Sequence, residues 1–249
     1  MNRERNIKRF EELMEQVDRP GKDALMRYIR NSDFYTAPAS TKFHLSCEGG
    51  LLQHSLNVYD ALLGHAAMAY PPDEVDYEDI LYTVAYKTVI RIHKETAVIV
   101  ALLHDICKTN FYCTEMRNQK IYKPNGSKRD NGGRFDWEQV PFYTVNDKNP
   151  YGHGEKSVMM IEEFMKLSME ERYAIRWHMG MSEVQNINTF NQACEKYPLV
   201  LLLHMADQEA SHFMEDQTDN KEEYQDKEET CCQDSDPSDT GFQEAEPIG

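Results

Sequence analysis

The sequence predicts an all-α fold: a helical bundle carrying a small β-hairpin or flap insertion and ending in a disordered acidic C-terminal tail. Three observations predict it. Apolar residues recur at spacings of three and four over most of the chain, which places them on one face of a helix. Strand-like patterning is confined to a short stretch between about 111 and 123. Over 215–249 the chain holds 13 acidic and 2 basic residues, a net −11, with almost no aliphatic side chains, so this stretch cannot bury enough surface to fold.

Ile7, Phe10, Leu13, Met14 and Val17 make the first apolar face. Pro20-Gly21 interrupts it, and Ala24, Leu25, Tyr28 and Ile29 open a second helix. These two form a helical N-terminal extension over 1–35. Residues 36–50, rich in Pro, Ser, Thr and Gly, read as a loop. A long helix is expected over 51–70, stopped by Pro71-Pro72, and another segment from about Tyr77 into the apolar stretch 96–107. That reading places His104 and Asp105 inside a helix over 97–108. Residues 111–117 and 120–123 read as a hairpin turning at Asn118-Gln119, although Asn125-Gly126 is the stronger turn dipeptide. The polar run 124–135 is a loop or flap. Helix resumes after Gly154, around 169–177, and over 198–214, where Leu199-Val200-Leu201-Leu202-Leu203 is too apolar for a surface helix. The expected domain covers 1–214 and the tail 215–249.

The net charge of −16 falls to −5 once the tail is set aside, leaving a mildly acidic globular body. No run approaches the roughly 18 apolar residues of a membrane span, and the charged N-terminus lacks a signal-peptide core. The six cysteines form neither C-x2-C zinc pairs nor a disulfide framework, so reduced thiols in a cytoplasmic protein are expected. Cys107, although beside a His-Asp pair, reads as a small packing residue rather than a nucleophile.

A His and a carboxylate at the end of an apolar helix are costly to bury without a partner. A divalent cation is such a partner, because neutral imidazole and ionised carboxylate both ligate it. The candidates come as a set: His54, His104-Asp105, His153, His178 and Asp207. His65 lies three helical turns, about 16 Å, beyond His54 and cannot share its metal. His93 and His212 have no supporting context, and His204 is expected to pack near Asp207 without binding metal. His44, in the loop leading to His54, is a candidate substrate contact. Arg117, Lys120, Lys123, Lys128, Arg129 and Arg134 interleave with Tyr112, Tyr122, Phe135 and Trp137, a composition that can bind phosphates and stack bases, or simply form a solvated face. This insertion follows the His-Asp pair closely and is expected to overhang the site.

The segments FHLSCEGGLLQHSLNV, LLHDICK, GHGEKS, WHMG and YPLVLLLHMAD, in that order, resemble the HD superfamily of metal-dependent phosphohydrolases. In wording they are similar to the HD domain of bacterial 3′→5′ exoribonucleases that join an OB-fold to an HD domain. The resemblance spans roughly residues 40 to 215. It implies an all-α HD-domain bundle in which His54, His104, Asp105 and Asp207 hold a primary metal. It also implies that His153 and His178 complete a second site, with Asp105 bridging. Lys108 matches a basic residue three positions after the pair, on the same helix face, where it meets a substrate phosphate; Asp105 and Lys108 are thus the expected catalytic residues. Substrate contacts are expected from Lys108, His44 and the flap residues Lys128 and Arg129. Met179 stands where the family often has a second histidine, and Cys107 where it often has glycine. No OB-fold fits in residues 1–35, which are too few and too helical.

The function implied is hydrolysis of phosphate esters of nucleotides or related small molecules, through water activated by one or two divalent ions (Mn, Fe, Co, Ni, Zn or Mg). Two alternatives stay open: a 3′→5′ exonuclease on single-stranded nucleic acid, and a non-catalytic HD binding module. Neither oligomeric state nor membrane association is indicated.

Overall fold

The computed structural model describes residues 2–67, 80–85, 88–183 and 187–215. The described chain is mostly helical, with a small three-stranded sheet inserted. Helix α1 (Arg3–Glu15) is capped by the Asn2 side chain, which accepts from the Arg5 N–H, and buries Phe10 and Met14. Helix α2 (Lys22–Asn31) buries Leu25, Met26 and Ile29. Gly21 opens it at φ 93°, and a Cβ there would lie 1.8 Å from the Phe164 carbonyl oxygen, so only glycine fits this entry turn.

Helices α3 (Gly50–Ala67), α4 (Lys94–Leu103) and α8 (Leu199–Glu209) form the centre. In α4 every residue from Thr96 to Leu103 is buried, the pattern of a helix covered on all sides. Around them lie α5 (His153–Glu162), α6 (Met169–Arg176) and α7 (Ile187–Lys196). Leu51, Leu52, Leu56, Leu62, Ile99, Leu102, Leu199 and Leu203 share one continuous core with Phe10, Ile29 and Phe34. Fully burying each such side chain stabilises the fold by about 1.5–3 kcal/mol. No helix among the described residues is long and apolar enough to cross a membrane.

Three expectations need correction. The segment ahead of the His-Asp helix is an antiparallel hairpin, β1 (Ile80–Ala85) with β2 (Thr88–His93), and helix begins only at Lys94. That helix ends at Leu103. His104 follows as its C-cap, and Ile106–Lys108 forms a separate 3-10 turn, so the His-Asp pair sits at a helix terminus rather than inside a helix. The insertion is larger and more regular than a short hairpin turning at Asn118-Gln119. Strand β3 (Tyr112–Tyr122) runs unbroken through that dipeptide and pairs along its length with β5 (Gly133–Val145). The chain turns at Pro124-Asn125, with Gly126 N–H donating to the Lys123 carbonyl, and β4 (Lys128–Asp130) pairs back onto β5 across a second turn at Asn131-Gly132. The expected helix end at Pro71-Pro72 and the acidic tail from 216 onward lie outside the described residues.

One polar knot ties α1's exit to the core. Arg19 makes a two-pronged pair with Glu171 at 2.6 and 2.7 Å, while Thr96 donates to the same carboxylate at 2.8 Å. Glu171 also closes a capping box with Ser168 at the start of α6. Its side chain is fully buried, and although burial favours the neutral acid, the Arg19 hydrogen bond and charge hold its pKa below the ordinary value. Removing one partner strands the other, so Arg19→Ala should cost about 3–5 kcal/mol in chemical denaturation. A folded-state pKa below the unfolded one gives stability that is present above the unfolded value and lost as pH falls through the folded value. Replacing Glu171 with Gln should therefore flatten the acid limb of a stability-versus-pH curve; an unchanged acid limb would mean the pair carries no such linkage.

Candidate metal centre

Five elements deliver the donors: α3 brings His54, the end of α4 brings His104 and Asp105, α5 opens with His153, the turn after α6 brings His178, and α8 brings Asp207. His54, His104, Asp105, His178 and Asp207 are all buried, and the His153 side chain is one-fifth exposed.

The four imidazoles are oriented alike. His104 Nδ1–H donates to the Ala101 carbonyl at 2.9 Å and His178 Nδ1–H to the Ile175 carbonyl at 2.6 Å. A carbonyl only accepts, so these bonds put the proton on Nδ1 and leave Nε2 with its lone pair directed inward. His54 Nδ1 is 2.9 Å from Glu215 Oε1, and His153 Nδ1 is 3.2 Å from the Cys107 sulfur. All four Nε2 atoms face the two carboxylates.

Asp105 divides its oxygens between two pairs of histidines. Oδ2 lies 3.6 Å from His54 Nε2 and 3.5 Å from His104 Nε2, whereas Oδ1 lies 2.7 Å from His153 Nε2 and 3.4 Å from His178 Nε2. Asp207 Oδ1 is 3.1 Å from His54 Nε2, and the His54 and His104 Nε2 atoms are 3.3 Å apart. Donors about 2.1 Å from one cation stand about 3.0–3.5 Å from each other, and these separations fall close to that range. Two groups, His54 with His104 and Asp105, and Asp105 with His153 and His178, could each hold a metal ion. The chemistry of the donors fits as well. His178 Nε2 is buried with no hydrogen-bond partner. With the imidazoles neutral, Asp105, Asp207 and Glu215 set against Lys108 leave a buried net charge of −2. A buried excess of that size is offset either by protons on the imidazoles or by a bound cation, and a cation can take their place.

The electrostatics express the same tension. Burial disfavours a proton on His54, but Asp207 and Glu215 outweigh it and lift its pKa to about 10. Burial pulls His104 down to about 3. Burial also opposes ionisation of Asp105, yet Lys108, His104 and His153 hold its carboxyl well below the usual range. Lys108 reaches Asp105 Oδ2 at 2.6 Å.

His44 stands beside the centre, its ring 5.0 Å from that of His54, and burial lowers its pKa to about 4. Lys128 and Arg129 are not brought to it. They pair with Phe135 and Arg134, at the end of the strand arm remote from Tyr112. Ten residues of straight strand span about 33 Å, which removes the geometric ground for assigning them to the substrate site. Other arm cations are occupied within the arm: Lys120 with Asp130, Lys123 with Asp136 and Glu138, and Arg117 over the Phe142 ring. Cys107 packs at 2% exposure, as its sequence context implies. His65 lies 2.9 Å from Glu209, and His204 Nδ1–H donates to the His178 carbonyl, so neither joins the donors.

Glu215 was missed. Assigned by composition to the acidic tail, it is instead buried, bonded to His54 and to Asn57 Nδ2 at 3.0 Å. A 690 Å³ groove lined by Tyr151, Glu155, Met159, Tyr173, Arg176 and Trp177 contains none of the donors.

No protein-family model, curated protein or solved structure matches this chain.

Gly154 controls the approach of α5 to α6. A Cβ there would lie 2.3 Å from the Arg176 carbonyl oxygen, so glycine lets His153 sit with its ring 5.2 Å from that of His178. Gly154→Ala should part these two rings and weaken metal binding at the His153–His178 group about ten-fold or more, on the scale of other disturbances to ligand support. Metal titration of the variant checks this; unchanged binding there would show that the helices tolerate a wider spacing.

Proposed function

We propose that the chain is a metal-dependent phosphohydrolase of the HD type, cleaving phosphate esters of nucleotides or related small molecules. The observation that carries this reading is the division of the Asp105 oxygens between two histidine pairs, with Lys108 on the same carboxylate. The order of the donors along the chain agrees with the resemblance to the HD superfamily. Divalent ions held there would lower the pKa of coordinated water and offset charge on phosphoryl oxygens.

The chain's own groups have separable tasks. Asp105 and Asp207 supply negative charge, and four neutral imidazoles supply directed nitrogen donors. In this reading the Lys108 ammonium, 13% exposed, meets a phosphate and stabilises the charge that grows in the transition state. His153 is the most open donor, so in this reading substrate arrives from its side. No covalent protein nucleophile is needed, and burial pushes the neighbouring Cys107 thiol up to about 12, which leaves it un-ionised.

A second reading, 3′→5′ cleavage of single-stranded nucleic acid, draws on the strand arm, where Met116, Tyr122 and Trp137 are about half exposed. Lys120 stands 4.6 Å from the Phe135 ring centre and 5.8 Å from that of Trp137. Pairing of Lys120 and Lys123 with the arm's own carboxylates favours the small-molecule reading.

Metal analysis and a hydrolysis screen over nucleoside phosphates, cyclic nucleotides, dinucleotides and short oligonucleotides test the proposal. Wild type should carry about two ions per chain, His178→Ala about one and Asp105→Ala almost none, because Asp105 serves both groups. Lys108→Ala should keep its metal while kcat/KM falls by about 100-fold, the loss typical of one transition-state contact. Phosphohydrolase activity absent from the metal-loaded protein across the whole panel would sink the reading. A steep fall in oligonucleotide binding with salt would move it toward nucleic acid.

A further inference from the structure

The donor set leaves one buried carboxylate without a task. Glu215 follows α8, whose helix continues over Ala210–Met214 as a wider, π-type turn. Its side chain is fully buried, and both hydrogen bonds to it come from α3 and end on Oε1: His54 Nδ1 at 2.9 Å and Asn57 Nδ2 at 3.0 Å. Burying a carboxylate is costly, and one shared hydrogen-bonding oxygen offsets only part of that cost. Oε2 has no hydrogen-bond partner and faces His44 Nε2, also unpartnered, across 4.0 Å.

We propose that Glu215 is the positioning residue of the first metal site, accepting the Nδ1 proton of His54 and so aiming His54 Nε2 at the cation. The inference rests on the metal-centre reading above. His104 and His178 obtain the same orientation from carbonyls three residues back on their own chain. His54 lies in the middle of α3, where its Nδ1 has no such carbonyl bond, so its partner must come from another element. A carboxylate does more there than a carbonyl. It fixes the tautomer and orientation, and it also raises the basicity of the ligating nitrogen. Asn57, one turn after His54 on α3, holds the carboxylate in line.

His44, His54 and Glu215 are themselves close enough to hold an ion. With His54 Nε2 committed to the first site and Nδ1 carrying its proton, only two ligands remain there. That argues for a positioning contact rather than a third metal site.

The test is titration of the full-length apo-protein with Co(II) against a competing chelator, following both affinity and the visible absorption of bound Co(II). Glu215→Ala should bind the first Co(II) about 10- to 100-fold more weakly than wild type, as for other carboxylates behind a ligating histidine. Its total number of sites should stay unchanged, with an altered first-site spectrum. Glu215→Gln preserves shape and a hydrogen-bond acceptor but not the charge, so it should fall between the two; it also guards against a Glu215→Ala chain that folds poorly. If Glu215→Gln and Glu215→Ala both melt earlier but bind Co(II) within two-fold of wild type, Glu215 is a structural contact only and the inference is overturned. Loss of a whole equivalent in Glu215→Ala would make Glu215 a ligand, which also overturns it. Wild-type protein that binds no Co(II) would instead fail the metal-centre reading itself, and the inference with it.

Discussion

The bundle is organised around the burial of negative charge. Asp105 is 2% exposed and Asp207 6%, both beside helices whose buried faces are made largely of Leu, Ile, Val and Ala. Two carboxylates in such surroundings would be expelled or neutralised unless something positive stood beside them. The arrangement around them follows from that need: imidazoles drawn in from α3, α4, α5 and the turn after α6, and the Lys108 ammonium. Each imidazole is held on its outer nitrogen and turns its inner one toward the carboxylates. The same constraint explains why so apolar a helix as α4 ends where it does. Continued for another turn, it would fix Asp105 by helical geometry alone; the break after Leu103 lets the carboxylate present one oxygen to each histidine pair.

Much of this was legible in the sequence, for a physical reason. Buried His and Asp residues leave a signal when they stand among apolar neighbours, as most of the candidates do, His104 and Asp105 after residues 98–103 above all. The apolar runs around them also marked α3, α4 and α8 as central. Legibility failed where the local pattern did not match its context. The sequence between β1 and β2 contains neither Gly, Asn nor Asp, so no turn residue announces a hairpin in place of helix. In the arm, Asn118-Gln119 resembles a turn but pairs with Gln139 and Glu138 inside a continuous ladder.

Glu215 shows a different kind of blindness. Composition judges a residue by its neighbours, and those on its C-terminal side carry 12 acidic residues against 2 basic. Its eight-residue spacing from Asp207 gives no hint either, because the intervening chain leaves regular α-helical geometry over Ala210–Met214. A π-type turn changes the number of residues per revolution and re-aims everything after it, so the direction of Glu215 is a property of the folded backbone alone.

The contact between His54 and Glu215 spans 161 positions of chain. Closing so long a loop carries an entropic cost that must be met before the contact stabilises anything. The centre therefore has no local precursor: α3 can form early, but its histidine meets its carboxylate only after α8 has docked. During synthesis, several of the expected ligands emerge from the ribosome long before the last one does, and they form no complete cage in the interval. Which cation such a centre could hold would then be decided by the finished fold, with its geometry and charge in place, rather than by the first ion that a half-made chain encounters.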